Sequence, residues 1–386
     1  MARRQADHDP SGAPVDELLA PWLTSLRAAL PGVRLFDCHT HLGEDPDGSR
    51  LTVDELRHAL DVVDGCAVTF PLAVVGGGYR AANDRLLDEV AGDARIVPFC
   101  RVDPVRDGAA ELERALGRGA AGVKLHPRAE RFVLSDPAVA RVVAVAAERR
   151  VPVIVHAGRG IPSLGRDALD LAQRYPAAPL VLAHAAVADL AWMWSAAADL
   201  PNLLFDTAWW NTADLLALFR LVPPGQILFA SDTPYGRPVA AAALALRVAL
   251  ATGLTADQIA EVFGGQIARL LDHKPPRDLG PAPAGVPPAP DPLLERVHTL
   301  LVGAVALALG GHPHDELLDL ARLACRVPAD HPARAAADSV VALLERRERF
   351  LAGRPPVTGP RLPGVHFLFV AAAIARLPAA PLPVLV

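Results

Sequence analysis

"FDCHTHLG" (36–43) sets Asp37, His39 and His41 at every second position of one short segment. Side chains on a strand alternate with period two, so this spacing aims His39 and His41 at one face and Cys38 and Thr40 at the other. Asp37 shares the histidines' parity one step deeper, a place for structural support rather than ligation. Taken alone, the segment could equally be the polar end of an ordinary strand. The decision rests on whether the rest of the chain supplies partners at matching places.

From about residue 33 to 271, short apolar β-branched runs alternate with alanine- and leucine-rich helical stretches. Eight runs read as strands: "VRLFDCH", "GCAVTFP", "RIVPFCRV", "AGVKLHP", "VPVIVHAG", "PLVLAHA", "NLLFDTA" and "QILFASD". Most are continuously apolar, as parallel strands covered on both faces must be. Helix signals lie between them. Thr52 and Glu55 have capping-box spacing, Pro137 opens "PAVARVVAVAAERR", and "RDALDLAQRY" stops before Pro176. Eight β/α units in roughly 240 residues predict an α/β fold of the (β/α)8 barrel type. A doubly wound open sheet is the alternative, but no glycine-rich phosphate turn follows the first strand. The "GGG" at 76–78 reads as a flexible loop.

The flanks have their own character. Residues 1–32 carry an amphipathic helix, "VDELLAPWLTSLRAAL", ahead of the barrel at 33–272. The stretch 273–292, "HKPPRDLGPAPAGVPPAPDP", reads as a semi-rigid proline-rich linker. Residues 293–386 are expected to form a helical domain of three or four helices, with a role the sequence leaves open.

Composition narrows the function. The 386 residues are 52% hydrophobic and 21% charged, with a net charge of −5, which describes a globular chain without the basic footprint of a nucleic-acid binder. The cysteines at 38, 66, 100 and 325 form no CxxC pair, which fits reduced thiols. The opening residues lack a leader pattern, and the longest apolar runs fall short of the ~20 residues that a membrane span needs. The expectation is a soluble, cytoplasmic protein acting on a small molecule, with neither nucleic acid nor membrane as partner and with homo-oligomer formation open.

In a (β/α)8 barrel the chemistry sits at the C-terminal strand ends, and the unusual polar residues of this chain fall there. His39 and His41 end strand 1, Arg101 strand 3, Lys124 and His126 strand 4, His156 strand 5, His184 strand 6 and Asp232 strand 8. Neutral imidazoles and one carboxylate converging with space for water suit catalytic zinc or a similar divalent ion. Such an ion lowers the pKa of its water toward ~7. Arg101, Arg128 and Arg159 on the rim have the fork geometry to clasp a carboxylate, and Trp209, Trp210 and Tyr235 stand where they would wall a pocket. A second HxH, His312 and His314, precedes a helix and reads as a helix entry. His58, His298, His331 and His366 are assigned ordinary structural roles.

As a set, "FDCHTHLG", "GVKLHP", "VPVIVHAG", "LVLAHA" and "ILFASDTPYG" resemble the amidohydrolase superfamily, most closely the amidohydrolase-related branch of metal-dependent (β/α)8 hydrolases and decarboxylases. "LTADQIAEVFGGQIARLLD" is similar to the helix that closes such barrels. The resemblance covers roughly 33–272 and implies that His39, His41, His156 and Asp232 hold the ion. Asp232 would also take a proton from the attacking water. His184 would act as an acid/base or ligate a second ion. Lys124 stands where two-metal members carry a carbamylated, bridging lysine, so the implied cofactor is one divalent ion, zinc first, or two. Arg101, His126, Arg159 and Tyr235 are the candidate substrate contacts. TatD-like deoxyribonucleases share the HxH, but a glutamate is expected there in place of Lys124, and the acidic balance disfavours a nuclease. The implied reaction is hydrolysis of a C–N or ester bond; the alternatives are non-oxidative decarboxylation of an aromatic or enol acid, or an idle barrel remnant.

Overall fold

A computed structural model describes residues 12–74, 76, 78–106, 108–284, 289–354 and 362–384. Residues 1–11, Gly77 of the glycine run and 285–288 of the proline-rich stretch lie outside the described residues. The apolar runs form strands β1 (Leu35–Glu44), β3 (Gly65–Pro71), β4 (Ile96–Pro98), β5 (Cys100–Arg101), β6 (Val123–Leu125), β7 (Val153–Val155), β8 (Leu180–Leu182), β9 (Leu203–Asp206) and β10 (Ile227–Leu228). A short β2 (Arg50–Leu51), absent from the sequence expectation, pairs antiparallel with the tip of β1.

β4 and β5 flank Phe99 and act as one barrel strand. β4 pairs with β3, β5 with β6, and parallel pairing continues in order to β10. The circle closes where the exit of β10 meets β1. There Cys38 N–H donates to the Phe229 carbonyl at 2.9 Å, Asp232 N–H to that of His39 at 2.9 Å, and His41 N–H to that of Thr233 at 2.8 Å. With β4 and β5 counted as one and β2 set aside, β1, β3, β4/β5, β6, β7, β8, β9 and β10 make eight parallel strands. A closed circle leaves no open edge, so the doubly wound alternative falls.

Side-chain alternation sorts the strands into two cores. Val68, Phe70, Ile154, Val181, Leu204, Leu228 and Cys38 fill the interior, joined by Ile267 and Leu270 of helix Gln266–Leu271. Leu35, Ala67, Val153, Val155, Leu180 and Phe205 face the helices. The place of Cys38 corrects the simple parity argument. β1 carries three steps from Asp37 to Thr40 where β3 carries two, from Ala67 to Thr69. Such a bulge inserts one residue and re-aims those beyond it. Cys38 therefore points inward, and Asp37 aligns with the outward Ala67 rather than one step below the histidines.

Beyond the barrel come helices Pro292–Leu309, Asp315–Ala324, Arg334–Leu351 and Val365–Arg376. Their apolar faces share one continuous core with the N-terminal helix Gly12–Ala28 and with Pro238–Ala251, the helix that follows β10. Trp22 is fully buried at this junction. Its Nε1–H donates to Ser339 Oγ at 2.8 Å, and Arg346 lies 4.8 Å over its ring. Arg247 of Pro238–Ala251 donates to the carbonyls of Leu377, Ala380 and Pro381, tying down the C-terminal tail. By length and composition Pro292–Leu309 is the one described helix able to cross a membrane, yet Leu294, Val297, Leu301 and Val305 are buried inside the protein.

Two stability predictions follow from these contacts. Trp22→Phe removes one hydrogen bond and is expected to cost about 1 kcal/mol, whereas Trp22→Ala leaves a cavity and costs about 3–5 kcal/mol; urea unfolding measures both. Asp16 pairs with Arg237 at 3.0 Å, but burial outweighs that ion and pushes its pKa from 3.8 up to about 6. The folded protein therefore binds this proton more tightly than the unfolded chain, and the group's contribution to stability falls as pH rises between those values. The stability of Asp16→Asn relative to wild type should improve by on the order of 1–3 kcal/mol from pH 4 to 6.5. A difference that does not vary with pH would contradict the burial account.

Candidate metal centre

Two strand ends hold residues in backbone conformations that only their surroundings can sustain. Asp232 and His184 have φ of 61° and 60°, the left-handed region that non-glycine residues avoid. At Asp232 the chain turns at once, with Tyr235 N–H and Gly236 N–H both donating to the Asp232 carbonyl. A Cβ at Gly236 would lie 1.9 Å from the Ser231 carbonyl oxygen, so the "PYG" turn requires glycine there. At the other strand end, a Cβ at Gly158 would lie 2.7 Å from His184 Cδ2. The glycine of "VHAG" is the space that lets His156 and His184 meet.

The imidazoles are tied into a fixed pattern. His39 Nδ1 lies 2.7 Å from Asp206 Oδ2, so the carboxylate holds the proton there and turns Nε2 toward Asp232 Oδ1 at 3.1 Å. His41 Nε2 reaches the same Asp232 oxygen at 3.1 Å. His184 Nδ1 lies 2.8 Å from the Ala208 carbonyl and must donate to it, which leaves Nε2 without a proton. His156 Nδ1 stands 3.0 Å from that nitrogen and donates to it, and the His126 ring stacks on His156 at 3.9 Å.

Ligand atoms of His39, His184 and Asp232 lie within 4.8 Å of one another. Two imidazole nitrogens and a carboxylate oxygen so arranged fit a divalent ion. His41 joins through the shared Asp232 oxygen, and His156 stands one hydrogen bond behind His184. All four residues implied as ligands are at the barrel mouth, but the tightest triple contains His184 in place of His41 or His156.

Electrostatics supports a cation here. Burial would raise Asp232, but the charge of His39 and the hydrogen bonds from His39 and His41 outweigh it and hold the carboxyl well below its usual range. Asp206 is likewise held down by His39 against burial. Burial lowers His184 and takes His41 down to about 3, and burial with neighbouring charges holds His126 and His156 well below the usual imidazole range, so these rings are neutral at pH 7. His39 is the exception: burial and Lys124 oppose its charge, yet Asp232 and Asp206 raise it. An ion at Nε2 would replace that proton.

Lys124 is fully buried, points inward and sits 3.0 Å from His39 Nε2. Burial lowers its pKa to about 8. Arg101 also points inward, but its guanidinium is engaged by Glu130 at 2.8 Å and by the Pro71 carbonyl. Arg159 is exposed on the loop after β7. Tyr235 is half-exposed and meets His41 edge-on at 5.8 Å. Asp37 Oδ1 accepts from the amides of both His39 and Ser231 at 3.0 Å, bracing the seam between β1 and the exit of β10. Outside the site, His298 bonds the Ala372 carbonyl, and His314 contacts the His312 carbonyl and Arg347 at a helix entry.

Two carboxylates escaped the sequence reading. Asp206 closes "NLLFDTA" on the inward parity of Leu204, and that parity was the available signal. Glu130, the partner of Arg101, lies on the short helix Pro127–Glu130 after β6, and nothing in its local sequence marks it.

Comparison with known proteins agrees with the fold. Among solved structures, the chain is similar to an amidohydrolase of Burkholderia multivorans crystallised with zinc bound, at 19% identity and a TM-score of 0.51 over 62% of this chain and 99% of that one. It is also similar to 2,6-dihydroxybenzoate decarboxylase from Rhizobium, at 16% identity and a TM-score of 0.50 over 62% and 98% of the two chains. The apo form of the Metarhizium anisopliae IDCase matches at 13% identity and a TM-score of 0.50 over 64% and 98%. At such identities the likeness concerns the fold. No curated protein matches the chain by sequence. The family model described as amidohydrolase matches residues 36–273, more than half of the chain. On that match, the chain belongs to the amidohydrolase family of metal-dependent enzymes.

Proposed function

We propose that the protein is a metal-dependent hydrolase that cleaves a C–N or ester bond of a small molecule. The observation that carries this is the ionised Asp232 carboxylate, set within ligand distance of His39 and His184 at the barrel mouth. A bound divalent ion supplies Lewis acidity, polarising a carbonyl and acidifying water. Zinc is the ion we propose, since it accepts this mixed nitrogen and oxygen set.

Asp232, and His184 once the His156 N–H turns away from its Nε2, are placed to take the proton that water loses as its oxygen adds to the carbonyl carbon. They return it to the nitrogen or oxygen that departs. Asp206 and the Ala208 carbonyl fix the tautomers of His39 and His184, so neither ring has to reorient during the proton transfer. Lys124, lowered to about 8, has an appreciable neutral fraction near neutrality and is the residue that carbamylation would convert into a ligand for a second ion. The free cysteines at 38, 66, 100 and 325 fit a cytoplasmic setting.

The same Lys124 favours a second reading. A buried ammonium beside His39 can protonate a carbanion, the step that non-oxidative decarboxylation of an aromatic or enol acid requires.

Metal analysis of the purified protein is expected to find bound zinc at about one equivalent, or two with Lys124 carbamylated, and to lose it in His39→Ala. A metal-free wild type would sink both enzymatic readings. Against a panel of esters, cyclic amides and aromatic carboxylic acids, His184→Ala is expected to lower turnover by about 10²-fold or more. Release of CO2 without water consumption would replace the hydrolase reading with the decarboxylase.

A further inference from the structure

Behind the metal centre lies a buried charge pair whose bonds lead to one ring of the mouth. The side chains of Arg101 and Glu130 are each 1% exposed. Arg101 Nη2 and Nε donate to Glu130 Oε1 at 2.8 and 3.2 Å, and the Tyr79 hydroxyl donates to the same oxygen. Asn83, fully buried, fixes the Arg101 backbone from both sides, accepting from its amide at 2.9 Å and donating to its carbonyl at 3.0 Å. The other carboxylate oxygen, Glu130 Oε2, accepts from the His126 amide at 3.1 Å. A buried pair seldom adds net stability over apolar residues of like volume, and losing one half of it is costly. What this pair holds in place is His126.

His126 is set by further restraints. Pro127 keeps its backbone extended, at φ −132° and ψ 87°. The His156 amide donates to the Leu125 carbonyl at 3.0 Å, which seats the two strand ends side by side, and the imidazoles of His126 and His156 stack at 3.9 Å with 12° between planes. The Ala129 amide donates to His126 Nδ1 at 3.3 Å. A ring nitrogen that accepts an N–H carries no proton, so His126 holds its proton on Nε2. That N–H makes no hydrogen bond among the described residues, yet His126 is partly exposed and its Nε2 is not one of the atoms shut off from solvent. The donor belongs to the mouth: Lys124, His41 and His156 are all near enough to act on the ring's charge. His156 in turn stands 3.0 Å from His184 Nε2.

We propose that His126 binds the substrate, its Nε2–H donating to a carbonyl or carboxylate oxygen, and that Glu130 and Arg101 are the positioning residues that aim this donor. With Nδ1 occupied by the Ala129 amide, the ring offers a ligand one donor and no acceptor. It therefore favours an oxygen with free lone pairs and turns away an ammonium group. The donor is fixed before the ligand arrives, which spares the cost of ordering it on binding. The proposal rests on the metal-dependent reading of the mouth, though not on whether the reaction is hydrolysis or decarboxylation.

Two measurements on the zinc-loaded full chain test it. Nitrogen NMR of isotope-labelled histidine should show His126 protonated at Nε2 and bare at Nδ1, with the signals assigned by their loss in His126→Gln; a proton on Nδ1 would overturn the proposal. The second is steady-state kinetics with phenyl acetate and the rest of the panel of esters, cyclic amides and aromatic carboxylic acids. His126→Phe keeps a ring to stack on His156 but lacks the donor, and kcat/KM is expected to fall about tenfold or more with zinc content unchanged. His126→Gln, which restores a side-chain N–H, should recover part of that loss. The double variant Arg101→Met with Glu130→Met replaces the pair by apolar side chains and strands no charge. It should hold zinc and lose about as much kcat/KM as His126→Phe. Adding His126→Phe to it should then cost no more than about twofold, because all three changes remove one interaction. Wild-type kcat/KM in His126→Phe would refute the substrate contact, since the N–H would then serve only water, and losses that multiply in the triple variant would refute the positioning role. A zinc-loaded wild type that turns over no member of the panel would instead sink the enzymatic reading, and the substrate contact with it.

Discussion

The hydrogen bond from Asp232 N–H to the His39 carbonyl joins the last barrel strand to the first, and it does so through two residues of the candidate metal centre. Closing the barrel and assembling the site are therefore one event. Asp37 reinforces the seam by accepting from the amides of His39 and Ser231 with a single oxygen, at the cost of a carboxyl that burial pushes up to about 7. Such a group is expensive in a core, and what it secures is register. If β10 slipped by one residue, Asp232 would leave His39 and His41 together.

Around the seam the mouth collects more buried charge than stability alone would select. Asp206 and Lys124 are removed from water and Asp232 is largely so, beside rings that burial keeps neutral. Two carboxylates share one raised imidazole, His39, and one lowered amine, Lys124. A divalent ion would give the carboxylates a partner that does not depend on pH in the way a histidine proton does. The left-handed backbone at His184 and Asp232 belongs to the same economy, since strain of this kind persists where the surroundings over-determine it.

The barrel was legible because parallel strands buried on both faces must read as apolar runs, and "GCAVTFP" coincides with β3 at both ends. The HxH, His156, His184 and Asp232 were legible because imidazoles and carboxylates are out of place at the ends of such runs. The parity of Cys38 was not, since a bulge depends on how β1 pairs with a neighbour and leaves no mark in β1 itself. Asp206 shares the inward parity of Leu204 but otherwise reads as a polar residue leaving a strand, and its role shows only in its reach to His39 and to the His184 amide. Arg101 looked available for a ligand because the sequence hides Glu130, which folds back from the following helix. In each case the missing information was a tertiary partner, which propensity and period do not encode.

The segments outside the family match bear on the site through one short stretch. Arg237 follows the Asp232 turn and opens helix Pro238–Ala251; it is held by Asp16 of the N-terminal helix. Arg247 of the same helix is capped by the carbonyls of the C-terminal tail, with no carboxylate bonded to it among the described residues and its pKa lowered to about 10 by burial. His366 reaches the backbone of Tyr235 in the turn itself. The N-terminal helix and the last helix thus grip from two sides the loop that carries Asp232. A barrel strand end is ordinarily free to vary in its loop; here the loop is fixed by chain that the family fold does not require. Both flanks therefore touch the turn that sets Tyr235 and Asp232 beside His41.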